Sequence, residues 1–100
     1  MSNFTVRVEL HGVGHNSEKY TELHNAMRRQ GFFRTVTLDK VTYDLPTAEY
    51  SRVADESIDS VLESAKLAAL SVMRRETSFS VLVTASENPR AQYNLQRHRD

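Results

Sequence analysis

Two histidines, His11 and His15, bracket the stretch Gly12, Val13 and Gly14. Imidazole titrates near neutrality, so such a pair can act as general acid and base. Cleavage of RNA through its 2′-oxygen asks for a proton acceptor, a proton donor and a cation beside the phosphate. Arg74 or Arg75 could bring that cation from the far half of the chain, and Arg28 joins the two histidines as a third catalytic candidate. The plain alternative is a pair of polar loop residues. The glycines let the chain turn sharply, and their amides could hold one phosphate where a helix begins. The loop is not a dinucleotide fingerprint, because the full G-x-G-x-x-G pattern and its acidic follow-up are missing.

Arg28, Arg29 and Arg34 form the densest basic cluster. Together with Arg7, Arg74 and Arg75 they are the candidates for RNA contact, since guanidinium forks match phosphate oxygens. Charges on a solvated helix end would explain the same residues without any ligand. Tyr43 and Tyr50 could stack on bases, although tyrosines in strands mostly fill sheets. His24, close to Tyr20 and Leu23, reads as a half-buried helix residue. Asp39, Asp44 and Asp55 read as turn or cap acids. No third ligand has a convincing position beside the histidine pair, and no carboxylate pair has two-metal spacing. Neither a metal nor another cofactor is expected.

These side chains need elements to hold them. Residues 4–10 alternate, with Phe4, Val6, Val8 and Leu10 on one face and Thr5, Arg7 and Glu9 on the other, as in a half-buried strand. Tyr20, Leu23 and Met27 recur at helical spacing, with Asn16 or Ser17 as cap and Gly31 past the end. Residues 32–38 read as a second strand whose buried face is ambiguous, because both parities contain a phenylalanine. Residues 41–53 read as a returning strand kinked at Pro46, or as a small extra hairpin followed by the third strand proper. Ile58, Val61, Leu62, Ala65, Ala68, Ala69 and Val72 form the stripe of a second helix, and residues 79–83 a last strand. The order β-α-β-β-α-β predicts an α+β, ferredoxin-like sandwich: one antiparallel four-stranded sheet with both helices on one face. Residues 1–84 make that single domain. Residues 85–100, without apolar period and slightly basic through Arg90, Arg97 and Arg99, make a flexible or loosely packed tail.

In that fold the His11–His15 loop shares one end with Arg74 and Arg75, while Arg28, Arg29 and Arg34 gather at the other. The sheet face without helices carries Leu82 and Phe33 as an apolar spot, and a homodimer through that face or an edge strand is expected.

The chain has 100 residues, 13 basic and 13 acidic side chains, and no cysteine. Zero formal charge argues against a strong non-specific nucleic-acid binder but allows a local basic patch. Disulfides, thiolate catalysis and cysteine-bound zinc are excluded. No apolar run is long enough to span a membrane, and no apolar leader opens the chain, so a cytoplasmic protein without membrane insertion is expected.

Several segments resemble the GhoS-like family of small bacterial proteins: residues 3–11, Gly31 with Phe32, residues 43–50 and residues 79–83. The resemblance implies a ferredoxin-like fold and the activity of an endoribonuclease antitoxin of type V toxin–antitoxin systems, which cuts the single-stranded messenger RNA of a small membrane toxin. Related small CRISPR adaptation nucleases carry an aspartate near the end of the first strand for metal chemistry. Glu9, Leu10 and His11 stand there in this chain, so the implied cleavage is metal-independent. Two other readings stay open: a non-catalytic RNA-binding or regulatory module, and a homodimeric protein-interaction module.

Overall fold

The computed structural model describes residues 2–99. The elements run β1 (Ser2–Leu10), α1 (Glu18–Arg29), β2 (Thr35–Leu38), β3 (Val41–Asp44), β4 (Glu49–Ala54), α2 (Ile58–Met73) and β5 (Phe79–Ser86), with a short 3-10 turn at Glu76–Ser78. The alternation in β1 sends Phe4, Val6, Val8 and Leu10 into the core. Val6 and Val8 are fully buried, each contributing about 1.5–3 kcal/mol of burial energy. Tyr20, Leu23 and Met27 of α1 meet Val61, Ala65 and Ala69 of α2 in the same core cluster. The small alanines of α2 let the two helices approach each other over the sheet.

Each helix begins on a serine. The Ser17 side chain accepts from the Lys19 amide, and that of Ser57 from the Ser60 amide, each at 3.1 Å. Gly31, with φ at +89°, lies just past the end of α1, in the left-handed region that suits glycine. At the end of α2 Arg74 takes the left-handed conformation itself, with φ at 66°.

The expected single four-stranded sheet is not formed. The described strands make two sheets: a three-stranded one in the order β4-β1-β5, and a separate pair, β2 with β3. Two consecutive residues of positive φ, Asp39 and Lys40, close a tight two-residue turn, and β2 pairs with β3 across it. That pairing uses one edge of β2 and leaves its other edge, toward β4, unladdered beyond Phe33. Contact with β4 is reduced to one antiparallel bridge, in which Phe33 and Ser51 exchange both backbone bonds. From Arg34 onward the segment turns away, its carbonyl accepting from the Leu45 amide at 2.7 Å. Residues 41–53 are thus a hairpin arm and a distinct strand, separated at Pro46.

The register puts Thr5, Arg7 and Glu9 of β1 beside Thr84, Leu82 and Ser80 of β5, on the sheet face opposite the core. Leu82 and Phe33 are both exposed but share no apolar spot, because β1 and β4 lie between them. Residues 87–99 contain no helix or strand, yet they are tied down. Arg90 donates to the Phe4 carbonyl at 3.2 Å and to the Thr5 and Ser51 hydroxyls at 3.3 Å. Farther on, the Asp44 amide donates to the Gln96 carbonyl at 2.8 Å and the His98 amide to the Thr42 carbonyl at 2.9 Å. The tail therefore runs along the outer edge of β3. No helix among the described residues is long and apolar enough to cross a membrane.

Candidate functional site

The His11–His15 loop lies where β1 ends and α1 begins. His11 Nε2 is 2.8 Å from Ser80 Oγ and 3.7 Å from Glu9 Oε1. The His15 ring stacks on Tyr20 at 5.4 Å between centroids, and the Tyr20 hydroxyl accepts from the Leu10 amide at 3.0 Å. Each imidazole thus has its own structural partner. Arg74 and Arg75 belong to the same end, since the His11 amide donates to the Ser78 carbonyl and Ser78 in turn donates to the Arg75 carbonyl. Both arginines sit in the turn that leaves α2. Arg28 is in the last turn of α1, about 15 Å of helix axis from the first turn. The proposed trio of His11, His15 and Arg28 is not brought together.

The other end of the molecule holds a more concentrated arrangement. An open cleft of about 740 Å³ lies between the last turns of α1, the segment entering β2, the end of β3 and the tail. Four arginines line it: Arg28 from α1, Arg34 from the segment before β2, and Arg97 and Arg99 from the tail. Among the described residues that line it, Asp44 is the single carboxylate, and His24 and His98 supply two imidazoles. Phe33 lines the wall and is half-exposed, whereas Phe32 beside it is driven into the core. A neutral chain has thus gathered four guanidinium groups around one concavity.

Local structure explains the convergence. The Phe32 amide donates to the Met27 carbonyl at 2.9 Å, and the Arg52 guanidinium lies 5.1 Å from the centre of the Phe32 ring. With Phe32 locked inward, the next residue must face out, which presents Phe33. Arg34 is fixed through its backbone bond to Leu45. Tail and β3 are joined a third time through side chains, His98 Nδ1 lying 2.8 Å from Asp44 Oδ1.

His24 projects from α1 with Nδ1 at 2.7 Å from the Tyr50 hydroxyl. Burial, with the charge of Arg34 adding to it, lowers its pKa below the ordinary histidine value. Burial raises that of Tyr50, so the phenol keeps its proton.

Of the remaining sequence candidates, Arg7 lies on the open sheet face, 3.8 Å from Glu49, and Arg29 is in the last turn of α1 but does not line the cleft. Of the residues lining the cleft, sequence reasoning singled out Arg28 and Arg34. It missed His24, Asp44, Arg97, His98 and Arg99 as one group. The signal was the run Arg97, His98 and Arg99 in an otherwise featureless tail. Among the described residues, no three His, Asp or Glu side chains form a group able to hold a metal ion. In comparisons with known proteins, no family model, curated protein or solved structure matches this chain.

Proposed function

We propose that the protein binds single-stranded RNA in the cleft between α1, β3 and the tail, and that this cleft is where an endoribonuclease activity of the kind its resemblance implies would act. The observation that carries the reading is the convergence of Arg28, Arg34, Arg97 and Arg99 on one concavity beside exposed Phe33. Guanidinium groups match phosphate oxygens in pairs, and a ring face accepts an unstacked base of any identity. A single strand offers both at once, whereas a duplex keeps its bases stacked inside. Asn25, Thr35 and Gln96 line the same cleft and bring amide and hydroxyl groups able to meet ribose hydroxyls.

Binding of a fluorescent, unstructured RNA oligomer, measured by anisotropy across salt concentrations, tests this. Affinity falls with salt by about 0.7 logarithmic units per phosphate contact and per tenfold salt. Replacing Arg34 and Arg97 together by alanine weakens binding by roughly tenfold or more. Phe33→Ala lowers affinity about equally at all salt concentrations, because a stacked base is lost and no charge. An oligomer that fails to bind even at low salt overturns the proposal, as does a double variant that binds like the parent.

A further inference from the structure

The outer edge of β5 is open. β5 ends the order β4-β1-β5, and its inner side pairs with β1 from Asn3 and Ser86 to Leu10 and Phe79 without a bulge. The His11 amide donates to the Ser78 carbonyl in the same register. Antiparallel pairs alternate, so Ser80, Leu82, Thr84 and Ser86 turn their backbone groups to β1, whereas Val81, Val83 and Ala85 turn theirs outward. Among the described residues nothing bonds to those outward groups. The tail does not cover them, because the Asn88 carbonyl accepts from the Asn3 side chain and Arg90 crosses to β1 and β4. Proteins blunt an open edge with charge, proline or a bulge. β4, at the other edge of the sheet, carries Glu49 and Arg52 and is bridged by Phe33. The eight residues of β5 include no charge and no proline, and Leu82 near their centre is 66% exposed.

We infer that a second copy of this chain covers this edge, with the two β5 strands antiparallel about a two-fold axis through Leu82. The strand's own sequence argues for that occupant and that register. Pairing about Leu82 sets Val81 opposite Val83 of the partner subunit, Ser80 opposite Thr84 of the partner subunit, and Phe79 opposite Ala85 of the partner subunit. Valine thus meets valine, hydroxyl meets hydroxyl, and a large side chain meets a small one. A two-fold axis makes every pair occur twice and sets the residue on it against its own kind. A charge there would meet its like, and β5 carries none. Leu82 stands at a non-hydrogen-bonded position of the new ladder, where side chains come closest, so it packs on its own copy. The two three-stranded sheets join into one continuous sheet. On the core side, Leu62 of α2 lines a hollow of about 320 Å³ with Phe79 and Val81, and the added strand lies beside it. The RNA cleft is on the β4 flank, so this inference does not rest on the RNA-binding reading and leaves both clefts open.

Sedimentation equilibrium of the full chain across a range of concentrations is expected to show a monomer–dimer equilibrium and no larger species. Leu82→Lys sets two ammonium groups against each other at the axis and weakens the dimer about 100-fold or more. Val53→Lys, at an exposed position on the β4 edge, dimerises like the parent. The chain has no cysteine, so single-cysteine variants report the register directly. Leu82→Cys changes an exposed side chain and forms a disulfide-linked dimer on mild oxidation, because facing Cα atoms at such a site lie about 4.5 Å apart, within disulfide reach. Val53→Cys, oxidised in the same way, runs as a monomer on a denaturing gel. A parent that stays monomeric at the highest concentration that remains in solution overturns the inference. So does a dimer that Leu82→Lys leaves intact, crosslinking of Leu82→Cys no faster than that of Val53→Cys, or open-ended association into larger species.

Discussion

The Tyr50 hydroxyl and His24 Nδ1, 2.7 Å apart, join the start of β4 to the cleft side of α1. Tyr50 is fully buried, so its hydroxyl needs a hydrogen-bond partner, and the imidazole provides one. Protonating His24 would place a positive charge in this desolvated position, near that of Arg34. In the unfolded chain the residue titrates near 6.5. In the fold burial and Arg34 depress its pKa. The unfolded state therefore binds more protons as the pH falls below about 6.5, and stability present above that value is lost through the window down to the folded pKa. Urea unfolding at pH 8 and at pH 5.5 is expected to show a lower midpoint at the acid value. His24→Gln should flatten the difference. A parent and variant with the same pH dependence would reject this account.

Arg90 fastens the tail to the sheet. Its guanidinium donates to the Phe4 carbonyl and to the Thr5 and Ser51 hydroxyls, on the face of β1 and β4 away from the helices. Burial lowers its pKa from the ordinary arginine value, and its Nε is buried without a hydrogen-bond partner. Desolvation thus works against the contact, and the three bonds offset it. Arg90→Met keeps the aliphatic stem but leaves those acceptors unmet. A loss of about 1–3 kcal/mol is expected in denaturant unfolding, with faster proteolysis after residue 86. Unchanged proteolysis would mean that the tail is held elsewhere.

Much of the helical and strand content is legible from local pattern. The two-residue period of β1 and the stripe of α2 declare themselves because one face of each is buried in a single core. The division into two sheets is not. Phe32 and Phe33 put an aromatic on both parities, so alternation cannot say which face is inside. A turn at Asp39 and Lys40 can be read between two extended runs, but no glycine announces their positive φ, and the turn alone does not say that β2 and β3 stand apart from the other strands. The tail's place is written in backbone hydrogen bonds to β3, which leave no side-chain period to read. Its part in the cleft was invisible for that reason, although Arg97, His98 and Arg99 were in plain sight. His11 and His15 teach the converse. Close in sequence, they turn to different partners, Ser80 and Tyr20, and neither reaches the arginines of α1.

Gly31 turns the chain out of α1 toward Phe33 and Arg34. Its φ of +89° strains any side chain, and an added Cβ would sit 3.4 Å from Arg52 Nη1. The guanidinium tip can shift slightly, so backbone strain dominates the cost. Gly31→Ala is expected to destabilise by about 1–2 kcal/mol. Gly14→Ala, where a Cβ meets nothing within 4 Å and φ is not positive, is expected to be neutral or to stabilise by up to about 1 kcal/mol. Thermal unfolding of both proteins decides it; equal midpoints would remove the distinction between the two glycines.

Arg74 separates a structural arginine from an RNA-binding one. It closes α2 in the left-handed conformation, with φ at 66°, and its amide donates to the Leu70 carbonyl at 2.7 Å. A glycine adopts that conformation without the clash between Cβ and carbonyl, at some cost in unfolded-state entropy. Arg74→Gly is therefore expected to raise stability by about 0.5–1 kcal/mol. Arg74 lies at the end of the molecule away from the cleft, so RNA affinity and its salt dependence should match the parent's. Weaker RNA binding by Arg74→Gly, with a salt slope reduced by about 0.7, would place a phosphate contact at the loop end and move the RNA path toward His11.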